Sequence, residues 1–213
     1  MIKKITLSLI TIASCLHFAI AQTETPKGWH LLSPSKDSFY GIDLARAYQF
    51  AKEKNKKPVP VIVAVLDSGV DTLHEDLKGI LWRNPKEIPG NGIDDDSNGY
   101  VDDIVGWDFA SNDNKPYDLS LNLIDILMGG GNPGHGTHVA GVIGAAANNS
   151  VGMVGIAPNV KIMALRFITE KGQGSSENAI KAIDYAVDNG AKIINASWGG
   201  EKGEEKEEEL LKA

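Results

Sequence analysis

Two side chains in this sequence have the types and settings needed for proton-transfer chemistry. His135 stands in Gly134-His135-Gly136-Thr137-His138-Val139-Ala140-Gly141, where a loop hands over to the small-residue run from Val139 to Ala147. That run has few side chains bulky enough to hold neighbours away. It predicts a helix buried on most sides, with His135 held in its first turn. Imidazole is the side chain whose unperturbed pKa suits proton shuttling near neutrality. Asp67 closes the continuous apolar, β-branched run Val61 to Leu66 and opens Asp67-Ser68-Gly69-Val70-Asp71. Such a run predicts a strand buried on both faces of a parallel sheet. The carboxyl edge of an open α/β sheet is where sites are built. A carboxylate there can accept the Nδ1 proton of an imidazole, fix its tautomer and stabilise the imidazolium. Singly, each also fits a plainer part: His135 and His138 as core histidines, Asp67 as a turn cap.

A third group offers hard oxygen ligands. Asp94, Asp96 and Asn98 fall at i, i+2 and i+4, followed by Gly99, the Tyr100 carbonyl and Asp102. These are positions 1, 3, 5, 6, 7 and 9 of an EF-hand-type calcium loop. Val105 occupies position 12 and supplies no bidentate acid, so Asp103 or water must complete the shell. The plainer alternative is an acidic, solvated turn, although so many carboxylates in one loop repel one another without a cation. Structural Ca²⁺ is the predicted cofactor. Trp82, Trp107 and Phe109 flank the loop and are expected to pin it to the domain.

The elements that must position these groups alternate. Lys161 to Phe167 predicts another strand, and Ala191 to Gly200 a strand followed by a glycine turn. Between them, Ser176 to Asn189 carries apolar residues at helical spacing and is stopped by Gly190. Strand, helix, strand repeats with short connections give a parallel sheet with right-handed crossovers.

An Asp-Ser-Gly after a hydrophobic strand, then His-Gly-Thr-His-Val-Ala-Gly opening a helix, resembles the subtilisin-like serine proteases (subtilases), whose triad runs Asp, His, Ser. The similarity extends from Tyr40-Gly41-Ile42 to Ser197-Trp198-Gly199-Gly200, and Leu73 to Leu77 matches the segment after the acid. It implies a three-layer α/β fold about a central, mostly parallel sheet, here incomplete at the C-terminus. It also implies hydrolysis of protein or peptide substrates by acyl transfer, with His135 as general base and acid and Asp67 orienting it. Gly172-Gln173-Gly174 resembles the strand that pairs with substrate backbone, and Ser197-Trp198-Gly199 one wall of the primary specificity pocket. An extended peptide would lie between them as an added strand. Trp198 stands where a smaller residue is usual.

The resemblance further implies a second calcium site. Asn149 and Asp76 would supply side chains, and Ala147, Val151 and Met153 carbonyls; Lys36 falls where the family has a Gln ligand. The chain departs from the family between acid and base, where 68 residues separate Asp67 from His135, about twice the usual spacing. A surface insertion is therefore expected at about residues 82–131. Its later part, with Leu119, Leu121, Leu123, Ile124, Ile126, Leu127, Met128 and then Gly129 to Gly131, is read either as a loop lining the cleft or as core.

The nucleophile, a Ser in a Gly-Thr-Ser context, is expected well beyond Gly200. None of Ser68, Ser175, Ser176 or Ser197 has that context, and no oxyanion-hole Asn is found. These groups supply the attack and much of the transition-state stabilisation. The expectation is a subtilase truncated before its catalytic Ser, inactive as this polypeptide alone. The alternative is a non-catalytic exported protein that binds peptide or calcium in the same cleft.

The 213 residues predict one domain preceded by processing and linking segments, and a formal charge of −7 argues against a nucleic-acid partner. Basic Met1 to Lys4, apolar Ile5 to Ile20 and the small-x-small Ala19-Ile20-Ala21 read as a signal peptide over residues 1–21. Export to the cell surface, periplasm or medium follows. The apolar run is too short for a membrane span. Cys15, the only cysteine, follows Ile12-Ala13-Ser14 and also resembles a lipobox, so a lipid anchor is the lesser alternative to plain secretion. No disulfide can form within the chain. Residues 22–58 are expected to form an extension and link, with an amphipathic piece at Leu44 to Ala51. Residues 59–213 form the peptidase part.

Overall fold

The computed structural model describes residues 25–117, 131–199 and 212. The chain separates into two compact units, Met1–Lys57 and Pro58–Ala213.

The first unit contains a 3-10 turn at Trp29–Leu31, helix α1 (Pro34–Asp37) and helix α2 (Leu44–Glu53). Pro34 sits at the first position of α1, where its missing N–H costs nothing. The Ser33 N–H donates to Asp37 Oδ2 at 2.9 Å across that short helix. Leu44, Ala47, Tyr48 and Ala51 recur at i, i+3, i+4 and i+7, the amphipathic spacing that the sequence shows.

The second unit is built on four parallel strands: β1 (Val61–Asp67), β2 (Gly106–Asp108), β3 (Val160–Arg166) and β4 (Ile193–Ala196), in the order β2-β3-β1-β4. Helices α3 (His135–Gly144) and α4 (Ser176–Asp188) belong to the same unit. The alternation of side chains along β1 sorts the core into two layers. Ala64 and Leu66 join Met163, Leu165 and the α4 residues Ala179, Ala182, Tyr185 and Ala186. Val63 and Val65 join Ile162, Ala164, Leu77, Ile80 and Ala140 of α3. The two helices therefore cover opposite faces of β1, which explains why that strand is apolar at every position from Val61 to Leu66 rather than at alternate ones. This is the three-layer α/β arrangement with a parallel sheet that the sequence predicts.

Three details differ from the sequence reading. Helix α3 stops at Gly144 instead of reaching Ala147, because Ala145 is extended (φ −51°, ψ 144°) and its carbonyl accepts the Gly155 N–H at 3.0 Å. Strand β3 begins and ends one residue early, at Val160 and Arg166. The insertion also contributes a strand of its own, since Gly106–Asp108 pairs in parallel with β3 from Ala164 to Arg166. Three residues are too few for a periodicity to show. Trp82, Trp107 and Phe109, each 6 % exposed, enter the α4-side core as expected of residues pinning the insertion. The apolar stretch 119–128, the signal-peptide region with Cys15, and the tail 201–211 lie outside the described residues.

Candidate active site

Asp67 is the last residue of β1, and the sheet order places β3 on one side of that strand and β4 on the other. His135 is the first residue of α3. Its Nδ1 lies 2.8 Å from Asp67 Oδ1 and 3.0 Å from Oδ2. An ionised carboxylate can only accept, so this contact favours the tautomer of a neutral imidazole in which Nδ1 carries the proton and Nε2 is left as the acceptor. The Asp67 side chain is 1 % exposed, whereas that of His135 is 42 % exposed, so the imidazole faces outward from a buried acid. Burying the carboxylate is compensated by this bond and by the Ser68 N–H, which reaches Oδ1 at 2.7 Å. A charge-assisted bond of this kind is worth roughly 1.5–3 kcal/mol.

Several contacts hold base and acid together. A Cβ at Gly136 would run into the Gly69 carbonyl and stand 2.9 Å from Asp67 Cβ. Only glycine lets the helix start approach the acid-bearing turn this closely. Thr137 Oγ1 accepts the Asp71 N–H at 2.8 Å. Ser68 Oγ donates to the Asn132 carbonyl at 2.8 Å and accepts the Gly136 N–H at 3.4 Å. The Ser68 hydroxyl is thus a fastener of the turn rather than an attacking group. Among the described residues no serine hydroxyl bonds to the His135 imidazole.

The two segments expected to hold substrate flank this acid. Residues 168–174 follow β3 and form a hairpin, with an antiparallel bridge between Ile168 and Gly174. Gly172, Gln173 and Gly174 are exposed. The Asp67 carbonyl accepts the Phe167 N–H at 3.1 Å and the Ile168 N–H at 3.4 Å, which seats the hairpin base beside the acid. On the other side, Ser197, Trp198 and Gly199 follow β4. Ser197 Oγ accepts from Asn195 Nδ2 at 2.9 Å. Trp198 is half-buried, with its ring centroid 4.9 Å from that of Phe167. The indole N–H of Trp198 is buried without an acceptor among the described residues.

The acidic loop is only partly arranged as its spacing suggests. Asp94 and Asp96 come together, and Glu87 joins them: one carboxylate oxygen from each lies within 4.8 Å of the other two. Asp94 also accepts the N–H groups of Asn98 at 3.0 Å and Gly99 at 2.8 Å. The Asp102 and Asn98 side chains make other bonds. Asp102 accepts the N–H groups of Gly90, Asn91 and Gly92 at 2.7, 3.2 and 3.0 Å. Asn98 turns its Oδ1 to the Tyr100 N–H at 2.8 Å and its Nδ2 to Asp103 Oδ2 at 2.9 Å. Glu87 is 7 % exposed and accepts the N–H groups of Asp95, Asp96 and Asp102. Sequence reasoning missed it, because it lies seven residues before the loop and only the fold returns it.

Beneath the loop, fully buried Asp103 accepts from Asn84 Nδ2 at 2.7 Å and the Tyr185 hydroxyl at 2.5 Å. Burial pushes the Asp103 carboxyl above the usual carboxylate range despite these donors. Burial also raises the Tyr185 hydroxyl, and its bond to Asp103 adds to that.

Asp76 and Asn149 are also brought together, with Asn149 Nδ2 at 2.7 Å from Asp76 Oδ1. The Met153 N–H occupies Asp76 Oδ2 at 2.8 Å, and Asn149 Oδ1 accepts the Val151 N–H at 3.1 Å. Both side chains are satisfied by protein donors here.

Residues 60–211 match the Subtilase family of S8 peptidases. The chain is 37 % identical over 161 residues to subtilisin-like protease 1 of Plasmodium berghei (strain Anka), covering 75 % of this chain and 25 % of that protein. It is 36 % identical over 137 residues to a thermophilic serine proteinase of Bacillus sp. (strain AK1), covering 64 % and 25 %. In structure it is similar to fervidolysin from Fervidobacterium pennivorans, a keratinolytic enzyme related to subtilisin: TM-score 0.51, 26 % identity, covering 88 % of this chain and 25 % of that one. The chain belongs to the subtilase family, whose members are serine-type endopeptidases acting on proteins. It spans about a quarter of the length of these relatives.

Proposed function

We propose that this chain carries the acid and base of an exported subtilisin-like serine endopeptidase. The observation that carries the reading is the His135–Asp67 pair at the end of β1. In the proposed cycle, His135 Nε2 takes the proton of a Ser hydroxyl as that oxygen attacks the scissile carbonyl. It then gives the proton to the leaving amine, while Asp67 holds the tautomer and stabilises the imidazolium. No Ser among residues 1–213 stands in a Gly-Thr-Ser context, so the proposed attacking Ser is supplied from outside this stretch. The substrate peptide adds as a strand alongside residues 172–174 and 197–199. Export rests on the leader-like residues 1–21, with lipid attachment at Cys15 the lesser alternative. Among the described residues no helix is long and apolar enough to cross a membrane.

Calcium belongs to the same proposal. Glu87, Asp94 and Asp96 present the hard oxygens that Ca²⁺ prefers, and Ca²⁺ tolerates irregular shells better than Mg²⁺ does. The ion would neutralise converging carboxylates and tie the loop down. At Asp76 and Asn149 only one carboxylate is present, and both side chains bond to each other and to backbone N–H groups, so that site is the weaker of the two.

Labelling with a serine-directed fluorophosphonate tests the protease reading. The full-length protein from the genomic locus should be labelled on one Ser in a Gly-Thr-Ser context, and the 213-residue chain should not. His135→Ala should abolish labelling and lower kcat by several orders of magnitude. A full-length protein that neither labels nor hydrolyses peptides supports the non-catalytic binding alternative instead.

A further inference from the structure

Arg166 ends β3 and is the register partner of Asp67, so the two side chains leave the sheet on one face. Its aliphatic stem runs beneath the acid-bearing turn. A Cβ at Gly69, where φ is +110°, would stand 3.2 Å from Arg166 Cδ. Its guanidinium then reaches three groups on two different segments. Nη1 pairs with Asp108 Oδ2 and lies 3.1 Å from Ser111 Oγ, and Nη2 lies 3.4 Å from Glu170 Oε2. The Arg166 and Asp108 side chains are each 1 % exposed, whereas that of Glu170 is 31 % exposed.

Asp108 alone balances the buried charge, and its other oxygen is already taken by the N–H groups of Ala110 at 2.8 Å and Ser111 at 3.0 Å. Glu170 is therefore not needed to neutralise Arg166. What it adds is a tether from the hairpin 168–174 to the end of the sheet. Apart from the Ile168 N–H to the Asp67 carbonyl at its base, the hairpin's backbone bonds are internal: Thr169 N–H to the Gln173 carbonyl at 2.8 Å, and Gly172 N–H to the Thr169 carbonyl at 2.9 Å. A guanidinium has donors arranged in a rigid fork, so one side chain can hold carboxylates from two segments at a fixed spacing, which an ammonium cannot do.

We propose that Arg166 and Glu170 are a positioning pair that sets the hairpin 168–174 in register with the Asp67–His135 pair; this rests on reading that hairpin as the strand that takes substrate backbone. Neither residue touches the reacting atoms. Their effect is on how well an extended peptide is held beside the base.

The test uses the full-length enzyme, a peptide substrate long enough to lie along the hairpin, and a short ester that does not reach it. Glu170→Ala should raise KM for the peptide roughly two- to fivefold, the size expected for a partly exposed ion pair. Its kcat should stay within about twofold and its ester kinetics should not change. Arg166→Lys keeps the charge beside Asp108 and loses the fork, so it should reproduce the KM effect. The double variant should be no worse than either single one, as expected for two residues acting through one contact. An unchanged peptide KM in Glu170→Ala, or fully additive effects, overturns the proposal. If the wild type hydrolyses neither substrate, the protease reading is what fails, and amide hydrogen exchange still decides on the pair. The Thr169 and Gly172 amides should exchange faster in Glu170→Ala while those of β1 do not, and unchanged protection rejects the tether.

Discussion

At the scale of single residues, the acid–base pair depends as much on an absent side chain as on the two that react. Gly136→Ala would push a methyl group into the Gly69 carbonyl and to 2.9 Å from Asp67 Cβ. We expect a stability loss of about 1–3 kcal/mol in urea denaturation, the range for overpacking a filled interior. We also expect loss of the low-field proton NMR signal of the His135 Nδ1–H bond. A retained signal would show that the helix start can move without opening the pair. Asp67→Asn should keep the geometry but favour the wrong tautomer, lowering kcat of the full-length enzyme by about 10⁴. Asp67 and His135 were legible in the sequence because each lies at the end of a local signal, an apolar run or a glycine-flanked helix start. Glu87 and Arg166 were not. Their partners Asp94, Asp96 and Asp108 lie on other segments, and nothing in the spacing of an acid or an arginine says which distant group it will meet.

At the scale of elements, the insertion between acid and base is part of the core. Tyr185 of α4 donates to buried Asp103 across 82 residues of chain. Its ring also packs edge-on to Tyr100, Phe109 and Trp82. Tyr185→Phe keeps the packing and removes one donor from a buried carboxylate, so a loss of about 1–3 kcal/mol should appear in denaturant titration. Calcium is expected to act through the same element. Binding to the folded state alone adds RT ln(1 + [L]/Kd), about 2.7 kcal/mol at a hundredfold excess over Kd. Chelation should therefore lower the melting temperature of the full-length protein. Asp94→Ala with Asp96→Ala should remove most of that response, and Glu87→Gln should weaken it, whereas Asn149→Ala tests the other candidate site. Equal calcium stoichiometry for wild type and the double variant in isothermal titration would leave the loop an acidic turn. The sequence showed β1, β3, α3 and α4 because each has a sustained period or a clear stop. It did not show β2, whose three residues become a strand only by pairing with β3.

At the scale of the whole molecule, strand order governs both solubility and timing. Among the described residues β4 pairs only with β1, and Ile193 on it is 54 % exposed. A short apolar edge of this kind recruits other strands. The 213-residue chain should associate in a concentration-dependent way in sedimentation velocity, and Ile193→Lys should reduce that association; unchanged behaviour would clear β4. Because β1 sits between β3 and β4, it pairs with Val160–Arg166 and Ile193–Ala196, segments made long after it. A ribosome adding roughly 5–20 residues per second delivers the second neighbour several seconds or more after β1 has emerged. Until Val160–Arg166 emerges this apolar strand has neither neighbour, and until His135 emerges, 68 residues after Asp67, the carboxylate at its end has no imidazole within reach. The nascent polypeptide is thus at its stickiest while it is chemically harmless, and a chaperone or export factor that binds extended apolar segments would find Val61–Asp67 as its natural handle.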